Sequence, residues 1–189
     1  MDSHNSFAAL AALRDFFMAQ NATDLAAAYD RLAPSTPQAV PVVLDWPAVE
    51  FAFNRLFVGP KALLAPPFAS VYLEPEPQLM GRSTLNVRYL YQMMGLISPW
   101  QNSLPDDHLG LELDAYYQLQ IVISQVNSAE LKALQEYFLL NHLNRWLPQF
   151  INRVKTAPEV PAPLIFVVDQ LNAWLQAEVS RLKVTEVLV

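Results

Sequence analysis

Apolar residues recur at intervals of three and four along most of the chain, the spacing that gathers them on one face of an α-helix. Phe7, Leu10, Leu13 and Phe16–Phe17 form a first stripe, with Ser6 placed to cap it. Thr23 precedes a shorter run, Leu25, Ala28, Tyr29 and Leu32, after which Pro34, Pro37 and Pro41 forbid helix and make a connector. Asp45 and Pro47 read as a cap and a first-turn proline for a helix carrying Val49, Phe53, Leu56 and Phe57. Gly59–Pro60 stops it. Ser83 opens the next helix, through Val87, Leu90, Tyr91 and Met94 to Gly95.

Between these helices, prolines at 60, 66, 67, 75 and 77 exclude any long element, yet the stretch holds Leu63, Leu64, Phe68, Val71, Tyr72 and Leu73. An irregular loop this apolar is expected to pack on the core or to do work. A second connector, Ile97 to Pro105, leads to a helix started by Asp106 or Asp107 and apolar on nearly all sides from Leu109 to Val122. Such a helix belongs in the middle of a bundle. Asn127 and Glu130 resemble a capping box before Leu131, Leu134, Phe138 and Leu139. The stripe continues through His142, Trp146 and Phe150, where Pro148 should kink or restart it. Pro163 opens a last helix. Ile165–Val168 and Val184–Val189 alone look strand-like, and neither has a partner run, so the pattern predicts an all-α fold. No internal repeat is present, and the proline connector is too short to divide residues 1–189 into two cores.

Composition narrows the function. Of 189 residues, 53% are hydrophobic and 16% charged, against roughly 25% charged in ordinary soluble domains. That surplus suggests apolar residues that meet a partner. No apolar run reaches the ~18 to 20 residues of a membrane-spanning helix, and no basic residue precedes Arg14 to flank a signal peptide. A soluble chain is expected. Its net charge of −6 argues against nucleic acid and suits a cationic peptide. Cysteine is absent, and the four glycines are too scattered for a P-loop or a GxGxxG turn.

The search for chemistry returns little. His4, His108 and His142 lack metal-ligand spacing, and His142 reads as a histidine satisfied by a neighbour. No nucleophile elbow occurs. The carboxylates Asp106–Asp107 and Glu112/Asp114 fit caps and dipole partners better than general acids. Asp107–His108, fixed between Pro105 and an apolar helix, makes a charged corner in greasy surroundings. Phe53, Leu56 and Phe57, beside the Pro66–Tyr72 loop, are plain core taken singly. As a group they also fit a stiff groove for an apolar or amphipathic peptide.

Five strings then carry a likeness: Arg55-Leu56-Phe57-Val58-Gly59-Pro60, the run from Pro66 to Leu73, Gly81-x-Ser83-Thr84-Leu85, Pro105-x-Asp107-His108-Leu109-Gly110, and Phe138-Leu139-x2-His142-Leu143-x2-Trp146-Leu147-Pro148-x-Phe150. In order and spacing, over about residues 45 to 155, they resemble the TorD/DmsD family of cytoplasmic redox-enzyme maturation chaperones, and the DmsD type in wording. The resemblance implies an all-helical protein without catalysis of its own. Its partner would be the twin-arginine signal peptide of a molybdenum-cofactor oxidoreductase, held until cofactor loading and before Tat export, with contacts to Tat translocase components. Peptide contacts carried over are Phe53, Leu56, Phe57, Pro67, Phe68 and Tyr72, with a hinge and binding corner at Pro105, Asp107 and His108. Phe53, Phe68 and Tyr72 stand where tryptophan is common in the family. Monomers, dimers domain-swapped about that hinge (near 99–108) and weak GTP binding come with the likeness only. Arginine paired with Asp107 would form a planar, charge-assisted contact. Two other readings compete: an assembly factor of the delta type for nitrate reductase, and an all-helical small-molecule protein using Asp107 and His108 as an acid–base pair. A closed cavity lined by Tyr91, Tyr116 or Trp100 beside that pair would mark the latter.

Overall fold

The computed structural model describes residues 3–36, 38–76, 79–97 and 103–187. Nine α-helices are found there, and no strand among the described residues. In order they are α1 (Ser3–Phe17), α2 (Ala22–Leu32), α3 (Trp46–Phe53), α4 (Ser70–Leu73), α5 (Arg82–Met93), α6 (Leu109–Gln125), α7 (Ala129–Tyr137), α8 (Asn144–Thr156) and α9 (Ala162–Val187). The all-α expectation holds. Ile165–Val168 lies within α9, as does the second β-branched run as far as Val187; residues 188 and 189 are outside the described set.

Helix α1 packs against α2, α6 and α9, and α8 lies along α9. Their apolar faces meet in one core built on Leu10, Leu13, Phe16, Tyr116, Phe138, Trp146, Phe150 and Trp174, all nearly or fully out of solvent. The buried Glu178 carboxylate of α9 accepts hydrogen bonds from Ser6 (3.0 Å), Tyr116 (3.0 Å), Gln120 (3.1 Å) and Arg181 (2.7 Å), tying α9 to α1 and α6. Four donors make such a burial tolerable. Among the described residues, no helix is long and apolar enough to cross a membrane.

Several caps differ from the sequence reading. Ser6 is spent on Glu178 rather than on a cap. The α2 cap is Asn21, whose side chain accepts the Asp24 amide. For α5, the Glu74 carboxylate, nine residues upstream, takes the Ser83 amide at 2.6 Å. Ser128, not Asn127, caps α7. Asp45 performs as expected, accepting the Ala48 amide at 3.0 Å. Pro148, expected to kink or restart the helix, lies inside α8 as its fifth residue, one turn past the π turn over Phe138–Leu143. Its missing N–H would have bonded residue 144, at the junction where the α ladder begins.

Candidate functional site

Helix α3 does not end at Phe53. It widens into a π turn, Asn54–Val58, in which the Gly59 amide reaches back to the Asn54 carbonyl at 2.9 Å. Gly59 follows at φ 114°, a conformation that side chains avoid. The wider turn brings Val58 round to the side of Phe53. Phe16, Phe53, Phe57 and Phe17 then meet edge to face at centroid distances of 5.8, 5.0 and 5.7 Å, a geometry worth about 0.5–1.5 kcal/mol per pair beyond burial.

Of these rings, Phe17, Phe53 and Phe57 form one side of a cavity of about 250 Å³. Helix α1 supplies Phe17 and, past its end, Met18 to Gln20; the π turn supplies Phe57 and Val58; the second connector supplies Ser103 and Leu104, and His108 closes it. The walls are mostly apolar. The C-terminal ends of α1 and of the π turn both lie at this cavity, and a helix C-terminus carries partial negative charge. The cavity therefore suits an apolar side chain with a cation beside it.

His108 is the α6 cap. Its Nδ1 accepts the Gly110 amide at 3.1 Å, which leaves the ring proton on Nε2. Burial pushes the imidazole down to about 4, so the ring is neutral at physiological pH. The Phe68 ring stands edge-on to it at 5.2 Å.

Asp107 is placed otherwise than expected. Its carboxylate, anticipated at the groove edge, is wholly buried: Oδ2 accepts the Ser70 amide at 2.8 Å and Oδ1 has no hydrogen-bond partner. The cause is a short antiparallel contact that the helical pattern gave no sign of. Leu109 donates to the Pro67 carbonyl at 2.8 Å and Ala69 to the Asp107 carbonyl at 3.0 Å, pairing Phe68 with His108. That strap draws Asp107 under the start of α4. Neighbouring Asp106 is likewise occupied, by Arg88 at 2.6 Å, and its carbonyl accepts the Tyr91 hydroxyl.

Of the nine residues anticipated for peptide contact, Phe53, Phe57 and His108 line the cavity. Leu56 and Pro67 are buried in the packing behind it, and Phe68 nearly so. Pro105, half-buried, accepts the His108 amide at 3.0 Å. Tyr72 stacks on Trp146 at 5.7 Å, donates to the Pro66 carbonyl, and lies beneath the Arg153 guanidinium. These residues fasten the proline loop to α6 and α8. Of the cavity's other walls, Val58 and Leu104 stood inside or next to quoted motifs, but Met18 to Gln20 gave no local signal, because α1 reaches the site only through packing.

Beneath the site, the fully buried Glu112 of α6 accepts from His142 Nε2 at 2.7 Å and Trp146 Nε1 at 3.0 Å. Burial pushes its carboxyl up, against the pull of His142. His142 is thus satisfied by a neighbour, as its setting in the sequence suggested. An acid–base pair at Asp107 and His108 finds no support: the carboxylate holds Ser70, the imidazole holds Gly110, and Tyr91 lines a different cavity, of about 310 Å³. Trp100 lies outside the described residues.

Comparison with known proteins gives a consistent picture. The family model described as nitrate reductase delta subunit matches residues 42–152. The Tat proofreading chaperone DmsD of Salmonella typhi is 34% identical over 101 residues, 53% of this chain and 46% of that protein. The chaperone protein TorD of Vibrio cholerae is 35% identical over 105 residues, 53% and 47% of the two chains. This chain thus spans about half the length of the curated relatives it matches. In fold, it resembles the crystal structure of a candidate redox enzyme maturation protein from Archaeoglobus fulgidus, with a TM-score of 0.60 at 17% identity over 93% of this chain and 94% of that one.

Proposed function

The chain belongs to the nitrate reductase delta subunit family, the family of TorD and DmsD, and on that premise we propose that it is a redox-enzyme maturation chaperone. Its task is to bind the twin-arginine leader of a molybdenum-cofactor oxidoreductase in the cytoplasm and to hold the precursor until the cofactor is loaded, ahead of Tat export. One observation carries the reading. Phe53, Phe57 and His108, from segments some fifty positions apart, line a single mostly apolar cavity at the negative ends of two helices. A leader of two arginines followed by apolar residues matches both qualities. Burying one large apolar side chain there is worth roughly 1.5–3 kcal/mol, so apolar contact dominates and the helix-end carbonyls take the cation. Asp107 has no part in that contact; it fixes the loop that braces the site.

The family model's description favours a second client of the same kind, a nitrate reductase. Titrating the purified chain with synthetic leaders from molybdoenzymes and from nitrate reductases separates the two. Val58 offers a clean variant, since it lines the cavity and is 63% exposed. Val58→Lys should bind leader at least about tenfold more weakly with an unchanged melting curve, whereas Asp107→Asn should bind within about twofold of the parent. Absence of saturable binding to every leader tested sinks the proposal.

A further inference from the structure

Met18 follows the last residue of α1, is half-buried, and is part of the cavity wall opposite Phe53 and Phe57 in the chain. Its side chain lies on the bare backbone of Gly110 in the first turn of α6. A Cβ placed on Gly110 would stand 2.5 Å from both Met18 Cγ and Sδ, closer than non-bonded atoms tolerate. Gly110 lies within α6 and, of the four glycines, only Gly59 and Gly95 are at positive φ. The absent side chain therefore serves close approach, and the thing that approaches is the thioether.

A methionine in that seat is free of branching and can change rotamer at small cost. Its neighbours in the wall cannot: Phe53 and Phe57 are locked by edge-to-face partners, and His108 by its cap bond. We infer that Met18, seated on Gly110, is the adjustable wall that sets the size of the apolar side chain the cavity accepts, an unbranched aliphatic or aromatic residue of the leader. The inference rests on the leader-binding reading for the source of that side chain, but not for the geometry of the wall.

Gly110→Ala tests it well. The clash falls on the flexible part of a side chain, so Met18 swings aside cheaply while alanine favours the helix. The variant should fold at least as stably as the parent and yet have a narrower cavity. Met18→Ala should do the reverse and widen it. The probe is a set of peptides with two arginines ahead of an apolar run, one position of which is Ala, Met or Phe, titrated by fluorescence anisotropy. Relative to the parent, Gly110→Ala should lower the Phe-to-Ala preference by at least about fivefold and Met18→Ala should raise it. Peptides that bind with the same preference in all three proteins overturn the inference and leave the leader reading standing.

Methyl NMR gives a readout free of any peptide. The chain has five methionines, and the Met18 methyl signal, identified by its loss in Met18→Ala, should move when indole is added to the parent and stay put in Gly110→Ala. If no peptide binds but that shift is seen, the leader reading fails and the adjustable wall stands. If indole moves nothing in the parent, the wall is not a ligand-facing surface and the inference is wrong.

Discussion

At His108 one imidazole caps α6, edges Phe68 and lines the cavity, and burial holds its pKa down to about 4. The unfolded ring titrates near its ordinary 6.5, so between those values the unfolded chain binds a proton that the folded chain refuses. Its contribution to stability is complete above pH 6.5 and is lost as the pH falls towards 4. For this group alone the loss approaches about 3 kcal/mol. Denaturant titrations at pH 7, 5.5 and 4 measure it. His108→Asn, which keeps a cap acceptor, should flatten that part of the slope; an unaltered slope would put the proton uptake elsewhere. The cap itself was half legible. Proline before and an apolar run after marked a helix start at this corner, but two aspartates stood ready as caps and the structure chose the histidine beyond them, because backbone pairing with Pro67–Ala69 had already consumed their neighbourhood.

Between elements, Glu112 is a buried polar joint, linking α6 to the π turn at His142 and to Trp146 of α8. Removing one member of a buried hydrogen-bonded charge set strands the others in a medium that cannot solvate them. Glu112→Ala is expected to cost about 3–5 kcal/mol by urea denaturation, and Glu112→Gln, which keeps one acceptor oxygen, distinctly less. Equal losses would show that only volume matters there. The sequence marked His142 as satisfied but gave no hint of its partner thirty positions upstream. Which face of α6 meets α8 depends on the whole stack of helices. The two π turns escaped the helical pattern for a related reason: periodicity over a few residues does not resolve one extra residue in a turn.

For the molecule as a whole, the net charge is −6 and the cavity is mostly apolar, so long-range attraction should speed the arrival of a cationic leader while burial holds it. The field fades over about 10 Å at 0.1 M salt. Raising NaCl from 50 to 500 mM should therefore slow association several-fold in stopped-flow experiments and change dissociation little. A fall concentrated in dissociation would show that charge, not apolar contact, retains the peptide. The apolar surplus read from composition is also visible outside the cavity, where Leu85, Tyr89 and Met93 of α5 stand at least half exposed at intervals of four.

What the chain's letters determined by themselves is short-ranged: helix after helix from three- and four-residue spacing, stops at Gly59 and Gly95, and an aromatic face around Phe53 and Phe57. Each depends only on neighbours within a turn or two, so local pattern suffices. What tertiary packing alone decided is who faces the cavity. It buried Asp107 beneath the loop that its motif braces, and it brought Met18 from the far end of α1 onto the bare backbone of Gly110. Exposure and partnership are properties of three or more elements meeting at once, and no spacing within one of them encodes the meeting.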